Sequence, residues 1–253
     1  MSERILIIPD VHQDLFFVES ILKLEKGKFD KIIQLGDWFD SFFVPPKVYG
    51  VRAVAQFMNQ LVNQYNITFL IGNHDVSYYE LILKSPEGYI TNSLLNRRQF
   101  PCSGFSGEKA RNIKKELTPE FIRNCKFMVY EQGYLISHAG IHKMFIGEGF
   151  TPEDIVEELD DIWKRFPYPE ERDAWVYGVG ACRRGRDPCG GIIWQDWFYE
   201  FSDGPYPQIV GHTNNASPRK EGNSFMLDAG QRYYGMLENG RLTIKGAYDG
   251  EEW

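Results

Sequence analysis

The stretch Ile67-Thr68-Phe69-Leu70-Ile71-Gly72-Asn73-His74-Asp75 decides the fold. It opens as a short apolar run containing β-branched residues, the pattern of a buried strand. It stops at a glycine followed by three polar residues that can bind metal or move protons. A buried strand emptying into Gly-Asn-His-Asp delivers those side chains at its carboxyl end. That edge is where open α/β sheets bind ligands.

Four other stretches share this grammar. Arg4 to Pro9 runs into Asp10-Val11-His12, and Lys31 to Leu35 runs into Gly36-Asp37-Trp38-Phe39-Asp40. Tyr134 to Ile136 runs into Ser137-His138-Ala139-Gly140, and Gln208 to Val210 runs into Gly211-His212-Thr213. The chain holds five histidines, and four of them lie in these five stretches. Such a concentration points to one site assembled at strand ends.

Composition narrows the classes. With 253 residues, 43% of them hydrophobic, the chain can bury a sizeable core, and we expect one domain over 1–253. A net charge of -7 argues against extended duplex nucleic-acid binding. The four cysteines form no C-x-x-C pair and read as reduced thiols, with zinc through Cys182 and Cys189 the sharper alternative. No apolar stretch approaches the ~20 residues needed to span a bilayer, and the N-terminus lacks signal-peptide form. The expectation is a cytoplasmic protein with no membrane partner.

Periodicity places the remaining elements. Phe16, Phe17, Ile21, Leu22 and Leu24 predict a helix ending near Gly27, so Asp10 and Asp37 flank a βαβ unit. Val51, Val54, Ala55, Met58, Leu61, Val62 and Tyr65 follow helical spacing. Phe42-Phe43-Val44-Pro45-Pro46 reads as a loop whose aromatics suit either a core or a pocket beside Asp40. Residues 77–125 give little pattern beyond loops at 86–88 and 101–107 and a helix start at Thr118-Pro119-Glu120. Phe127 to Ile136 predicts a hairpin, and a second hairpin turns at Asn239-Gly240. Thr151-Pro152-Glu153-Asp154 starts a helix with a stripe through Ile155, Val156, Leu159, Ile162, Trp163 and Phe166, and 167–191 predict a long loop.

The ordered set Asp-x-His, Gly-Asp-x-x-Asp, Gly-Asn-His-Asp, lone His and Gly-His resembles the calcineurin-like metallophosphoesterases. Within that superfamily, Ser137-His138-Ala139-Gly140 and Ile192-Ile193-Trp194-Gln195-Asp196 are similar to segments of the phosphoprotein-phosphatase and diadenosine-tetraphosphatase-like branch. The resemblance implies a four-layer α/β/β/α sandwich with a dinuclear metal site at strand carboxyl ends. It implies hydrolysis of phosphate esters by a metal-activated bridging water.

Phosphoester hydrolysis needs charge neutralisation, a strong nucleophile at neutral pH and a proton for the leaving group. Two metals ~3.5–4 Å apart supply the first two, and a shared carboxylate can hold them together. By resemblance, Asp37 is the bridge, Asp10 and His12 complete one centre, and Asn73, His138 and His212 complete the other. The donor set has imidazole, carboxylate and amide oxygen but no thiolate, which favours Mn, Fe or Zn over a structural zinc site, and of these Mn²⁺ is the expected ion. His74 looks like the general acid, paired with Asp40. Asp75 reads as a loop-holding residue, and Asp228 as support behind the ligands.

Two departures bear on substrate. The branch follows Gly-Asp-x-x-Asp with Arg-Gly, whose Arg clamps phosphate; here Ser41-Phe42 follow. Many relatives end with Gly-His-x-His; here the last place is Asn214. The nearest dense basic cluster is Arg183, Arg184 and Arg186, and at least one of these is expected to contact substrate phosphate. The expected partners are phosphorylated small molecules, nucleotides or phosphoproteins. A binding protein that keeps the fold without turnover, and a phosphoesterase acting on nucleotides or nucleic-acid ends, are the competing readings.

Overall fold

The computed structural model describes residues 3–42, 48–85, 87–100 and 102–253. The expected loop residues 43–46, together with Pro86 and Pro101, lie outside the described residues.

Two five-stranded sheets form the centre. The first comprises β1 (Ile5–Ile8), β2 (Lys31–Gln34), β3 (Ile67–Phe69), β9 (Tyr233–Glu238) and β10 (Arg241–Gly246), in the order β10-β9-β1-β2-β3. The second comprises β4 (Met128–Glu131), β5 (Tyr134–Ser137), β6 (Gln208–Val210), β7 (Arg219–Glu221) and β8 (Ser224–Met226), in the order β4-β5-β6-β8-β7. β1, β2 and β3 run parallel, as do β5, β6 and β8.

The apolar runs are continuous because both faces of each sheet are covered. Successive strand residues point to opposite faces. Ile5, Ile7 and Ile33 therefore join Ile136, Ile209 and Leu227 in a core between the sheets. Leu6, Ile8 and Ile32 join Phe17, Val18, Ile21, Val54 and Met58 on the outer side. Those helical residues belong to α1 (Leu15–Leu24) and α2 (Val51–Gln64). On the far side, α7 (Pro152–Arg165) packs against β4 through Trp163, whose ring meets Phe127 edge-on at 5.2 Å. The result is the four-layer α/β/β/α arrangement. Each fully buried Ile or Leu in it stabilises the fold by roughly 1.5–3 kcal/mol.

Three segments differ from the sequence expectations. A helix, α3 (Asn73–Leu83), starts directly at Asn73 where only a strand end and loop were expected. Residues 73–82 of it are buried on all sides, so it shows no polar–apolar stripe. Two short helices, α4 (Asn92–Asn96) and α5 (Gly107–Lys114), and the predicted α6 (Pro119–Arg123) follow. Strand β7 has no apolar signature because its residues Arg219, Lys220 and Glu221 are all exposed at a sheet edge. Val62, counted in the α2 stripe, is 49% exposed and lies off the buried face. The 167–191 segment is irregular as expected, apart from two 3₁₀ stretches at Glu171–Tyr177 and Ala181–Arg183. No helix of the described residues is long and apolar enough to cross a membrane.

Candidate metal centre and active site

The parallel strands all end at one edge, and each delivers a polar side chain there. Asp10 and His12 follow β1, Asp37 follows β2, Asn73 follows β3, His138 follows β5 and His212 follows β6. Asp228, after β8, reaches the same cavity. All seven are buried.

The loops are folded tightly to bring this about. The carbonyl of Asp37 accepts from the amides of Val11 at 3.2 Å and His12 at 2.8 Å, tying the first two motifs together. Asp75 accepts from the amides of Asp37 at 2.7 Å, Trp38 at 3.0 Å and Gly72 at 3.1 Å, the loop-holding role read from the sequence. Burial pushes the Asp75 carboxyl up to about 6 despite these bonds. His12, Asp37, Asp40 and His212 adopt φ between 46° and 66°. Left-handed backbone at non-glycine residues is costly and clusters at functional sites. Two glycines make room for carboxylates: a Cβ on Gly72 would sit 2.1 Å from Asp37 Oδ1, and one on Gly211 would sit 2.1 Å from Asp10 Oδ1.

Four donor atoms converge around His138. Its Nε2 lies 3.0 Å from Asn73 Oδ1, 3.0 Å from His212 Nδ1 and 3.6 Å from Asp37 Oδ2. The Leu35 carbonyl accepts from His138 Nδ1 at 2.8 Å, so that nitrogen carries the proton. Burial pushes the His138 imidazole down to about 3, so the ring is neutral and Nε2 is a bare lone pair. It therefore faces the amide oxygen of Asn73 lone pair to lone pair, an arrangement that a cation between them would satisfy. Neighbouring ligands at right angles, each about 2.1 Å from one ion, are about 3.0 Å apart.

A second group adjoins the first. His12 Nε2 lies 3.9 Å from Asp10 Oδ2 and 3.9 Å from Asp37 Oδ2. Burial, then the nearby His74, pushes the His12 imidazole down to about 4, which leaves it neutral and free to ligate. Burial and then mutual repulsion push the Asp37 carboxyl up beside Asp10, and burial with repulsion from Asp228 does the same to Asp10. Clustered buried carboxylates of this kind call for a compensating cation. The donor chemistry thus fits divalent metal in both groups, and Asp37 belongs to each.

Beside the ligands, His74 Nδ1 lies 3.4 Å from Asp40 Oδ2. Burial alone would raise the Asp40 carboxyl; hydrogen bonds from His74, Lys109 and Tyr78 outweigh it and hold the group below the ordinary carboxylate range. Tyr78 and Lys109 were not singled out in the sequence. Tyr78 sits on the illegible α3, and Lys109 lies 69 residues from Asp40 with no motif around it.

The cavity in front of the site has a volume of about 680 Å³. His12, Asn73, His74 and His212 line it, together with Phe42, Arg183, Trp194 and Phe198. Phe42 takes the pocket position that the sequence left open, with its ring 5.3 Å from that of His74 and 5.6 Å from that of His12. Arg183 pairs with Asp196 Oδ2 at 2.9 Å and donates to Thr213 Oγ1 at 3.1 Å. Arg184 and Arg186 are exposed and do not line the cavity. Cys182 and Cys189 belong to no ligand cluster among the described residues; Cys182 instead lies 2.9 Å from Glu200 Oε1.

Two adjoining donor groups at the carboxyl ends of parallel strands, between two sheets, are the arrangement that the sequence resemblance implies. The chain belongs to the calcineurin-like phosphoesterase family, whose family model matches residues 3–233. No curated protein matches the chain. Among solved structures, the cold-active protein-tyrosine phosphatase of a psychrophilic Shewanella species is similar at a TM-score of 0.65 and 17% identity, covering 99% of this chain and 80% of that one. A second structure of a cold-active protein tyrosine phosphatase gives 0.65 at 18%, covering 99% and 78%. A protein serine/threonine phosphatase from Saccharomyces cerevisiae gives 0.49 at 13%, covering 96% and 79%. At these identities the first two likenesses support the fold.

Proposed function

We propose that the protein is a dinuclear metal-dependent phosphatase or phosphodiesterase. Asp10, His12 and Asp37 would hold one ion, and Asp37, Asn73, His138 and His212 the other. The observation that carries this reading is the placement of Asp37 Oδ2, 3.6 Å from His138 Nε2 and 3.9 Å from His12 Nε2. One carboxylate oxygen is thereby common to both donor groups. Bound there, two divalent ions would neutralise phosphoryl oxygens and lower the pKa of water enough to supply a nucleophile. The thiolate-free donor set suits Mn, Fe or Zn, and Mn²⁺ is the ion proposed.

The chain's own residues supply the rest. His74, oriented by Asp40, delivers a proton to the leaving oxygen. Arg183 takes the phosphate-clamping role for which position 41 offers only a serine; its guanidinium is fixed by Asp196 and Thr213 at the cavity edge. Arg184 and Arg186 drop from this assignment on their positions. Trp194, in the segment resembling the phosphoprotein-phosphatase branch, stands edge-on to His212 at 5.8 Å, beside the proposed ligands. Phosphorylated small molecules, nucleotides and phosphoproteins are the substrate classes.

The test is a panel of phosphomonoesters, dinucleoside polyphosphates and cyclic nucleotides. It is assayed with chelator-stripped protein and after adding Mn²⁺, Fe²⁺ or Zn²⁺. Metal-restored hydrolysis of at least one class is expected. Metal binding without turnover on any of them would favour a regulatory protein that keeps the fold.

A further inference from the structure

Asp40, which orients His74, is itself held by more than His74. Its side chain has no exposed surface, and four groups reach it. His74 Nδ1 at 3.4 Å and Cys102 Sγ at 3.5 Å face Oδ2; the Tyr78 hydroxyl at 2.7 Å and Lys109 Nζ at 2.6 Å donate to Oδ1. The two short bonds thus fall on one oxygen, and the other oxygen faces the histidine and the Cys102 thiol.

Lys109 reaches this position by construction. The Ser106 side chain caps α5 by accepting from the Lys109 amide at 3.1 Å, which sets the lysine in the first turn. Its Nζ also donates to the Gly104 carbonyl at 2.8 Å. Gly104 has φ +80°, and a Cβ there would lie 2.9 Å from the Asp40 Cβ. The 102–106 loop therefore wraps closely around Asp40, and Lys109 closes it. Apart from the His74 contact, Lys109 is the one cationic partner of Asp40 among the described residues.

A carboxylate held by one donor can turn about its Cβ–Cγ bond and exchange its oxygens. Donors from two separate helices on the same oxygen prevent that turn, and the charged one is the stronger. We propose that Lys109 is a positioning residue for proton donation: it fixes the Asp40 carboxylate so that Oδ2 holds the His74 ring toward the leaving group. The proposal rests on the reading of His74 as general acid. A purely structural lysine would instead stabilise the fold without distinguishing substrates.

The experiment compares Lys109→Met with wild type, both metal-loaded, on p-nitrophenyl phosphate and on an alkyl phosphate such as glycerol phosphate. A departing alkoxide needs the proton and nitrophenolate does not. Lys109→Met should lose about 10-fold in kcat on the alkyl ester, the scale of lost outer-shell partners. It should lose little on the nitrophenyl ester, with KM and metal content unchanged. In the His74→Ala background, the same substitution should cost nothing further on the alkyl ester. Equal losses on both esters, no loss on either, or an additive loss in that background would overturn the proposal. If Lys109→Met does not fold, Lys109→Gln runs the same cycle, because its shorter, neutral side chain removes the charged contact to Asp40 Oδ1; additive losses overturn the proposal there too. His74→Ala alone separates the two ideas: if its effect ignores the leaving group, the general-acid reading itself fails.

Discussion

Asp37 Oδ1 accepts the amide proton of His74 at 2.9 Å, and this bond turns Asp37 Oδ2 toward the imidazoles of both donor groups. The amide belongs to the first turn of α3, so the acid-bearing helix aligns the bridging carboxylate. The same carboxylate is buried beside Asp10, which raises it. Removing one of two buried like charges should relieve the metal-free protein. Asp37→Asn keeps the oxygen that accepts from His74. Thermal unfolding in chelator should show this variant at a higher Tm than wild type. Added Mn²⁺ should raise the wild-type Tm by more than it raises that of the variant. A metal-free variant less stable than wild type would count against the repulsion.

Proton donation can be isolated by leaving group. His74→Ala should lower kcat by ~10²–10⁴ on alkyl phosphates, the ordinary worth of general acid catalysis. Metal content should stay near wild type. The loss should shrink on p-nitrophenyl phosphate. An equal loss on both would make His74 structural or a ligand.

The arginine cluster divides by position. Arg183 lines the cavity and Arg184 and Arg186 do not. Arg183→Ala should raise KM for phosphate esters by about 10–100-fold, the worth of hydrogen bonds to a charged group. Metal content should be unaffected. The double variant Arg184→Ala, Arg186→Ala should keep wild-type kinetics. Steady-state kinetics on each accepted substrate reads the difference, and the reverse order would move the clamp to the exposed loop.

Backbone space at the ligands is a separate requirement. Gly211→Ala would place a Cβ 2.1 Å from Asp10 Oδ1, and Gly72→Ala would place one 2.1 Å from Asp37 Oδ1 and 2.4 Å from the Asp37 amide nitrogen. Neither contact can be relieved without moving a carboxylate or a strand end. Both variants should bind Mn²⁺ at least 10-fold more weakly, given that supporting changes alone cost ~10–100-fold. Titration calorimetry measures this. Wild-type affinity in either would show that the carboxylates can withdraw freely.

How much of this was legible follows from what each residue packs against. The motif strands were readable because burial keeps them apolar, throughout β1 and β6 and over most of β2 and β5, and each leads into a polar motif. Ile7 and Leu6 point into different cores, yet both are isoleucine or leucine for the same reason. Helix α3 was unreadable for a related cause: Val76, Tyr78, Tyr79, Leu81 and Ile82 are buried on all sides, so no stripe remains to show a helical period. Lys109 and Asp40 meet only through tertiary folding, and nothing local marks the lysine. The Arg183, Arg184 and Arg186 cluster was visible as charge, but which arginine faces the cavity depends on the turn at Arg184, whose φ is +67°.

The most direct test of the shared-carboxylate reading is the number of Mn²⁺ ions per chain, measured by mass spectrometry of metals in the active protein and in Asp37→Asn. Two ions per chain are predicted in the active wild type. In the variant, one or none should remain and hydrolysis should be lost. Full hydrolysis by wild-type protein carrying a single ion, or by Asp37→Asn, would contradict it.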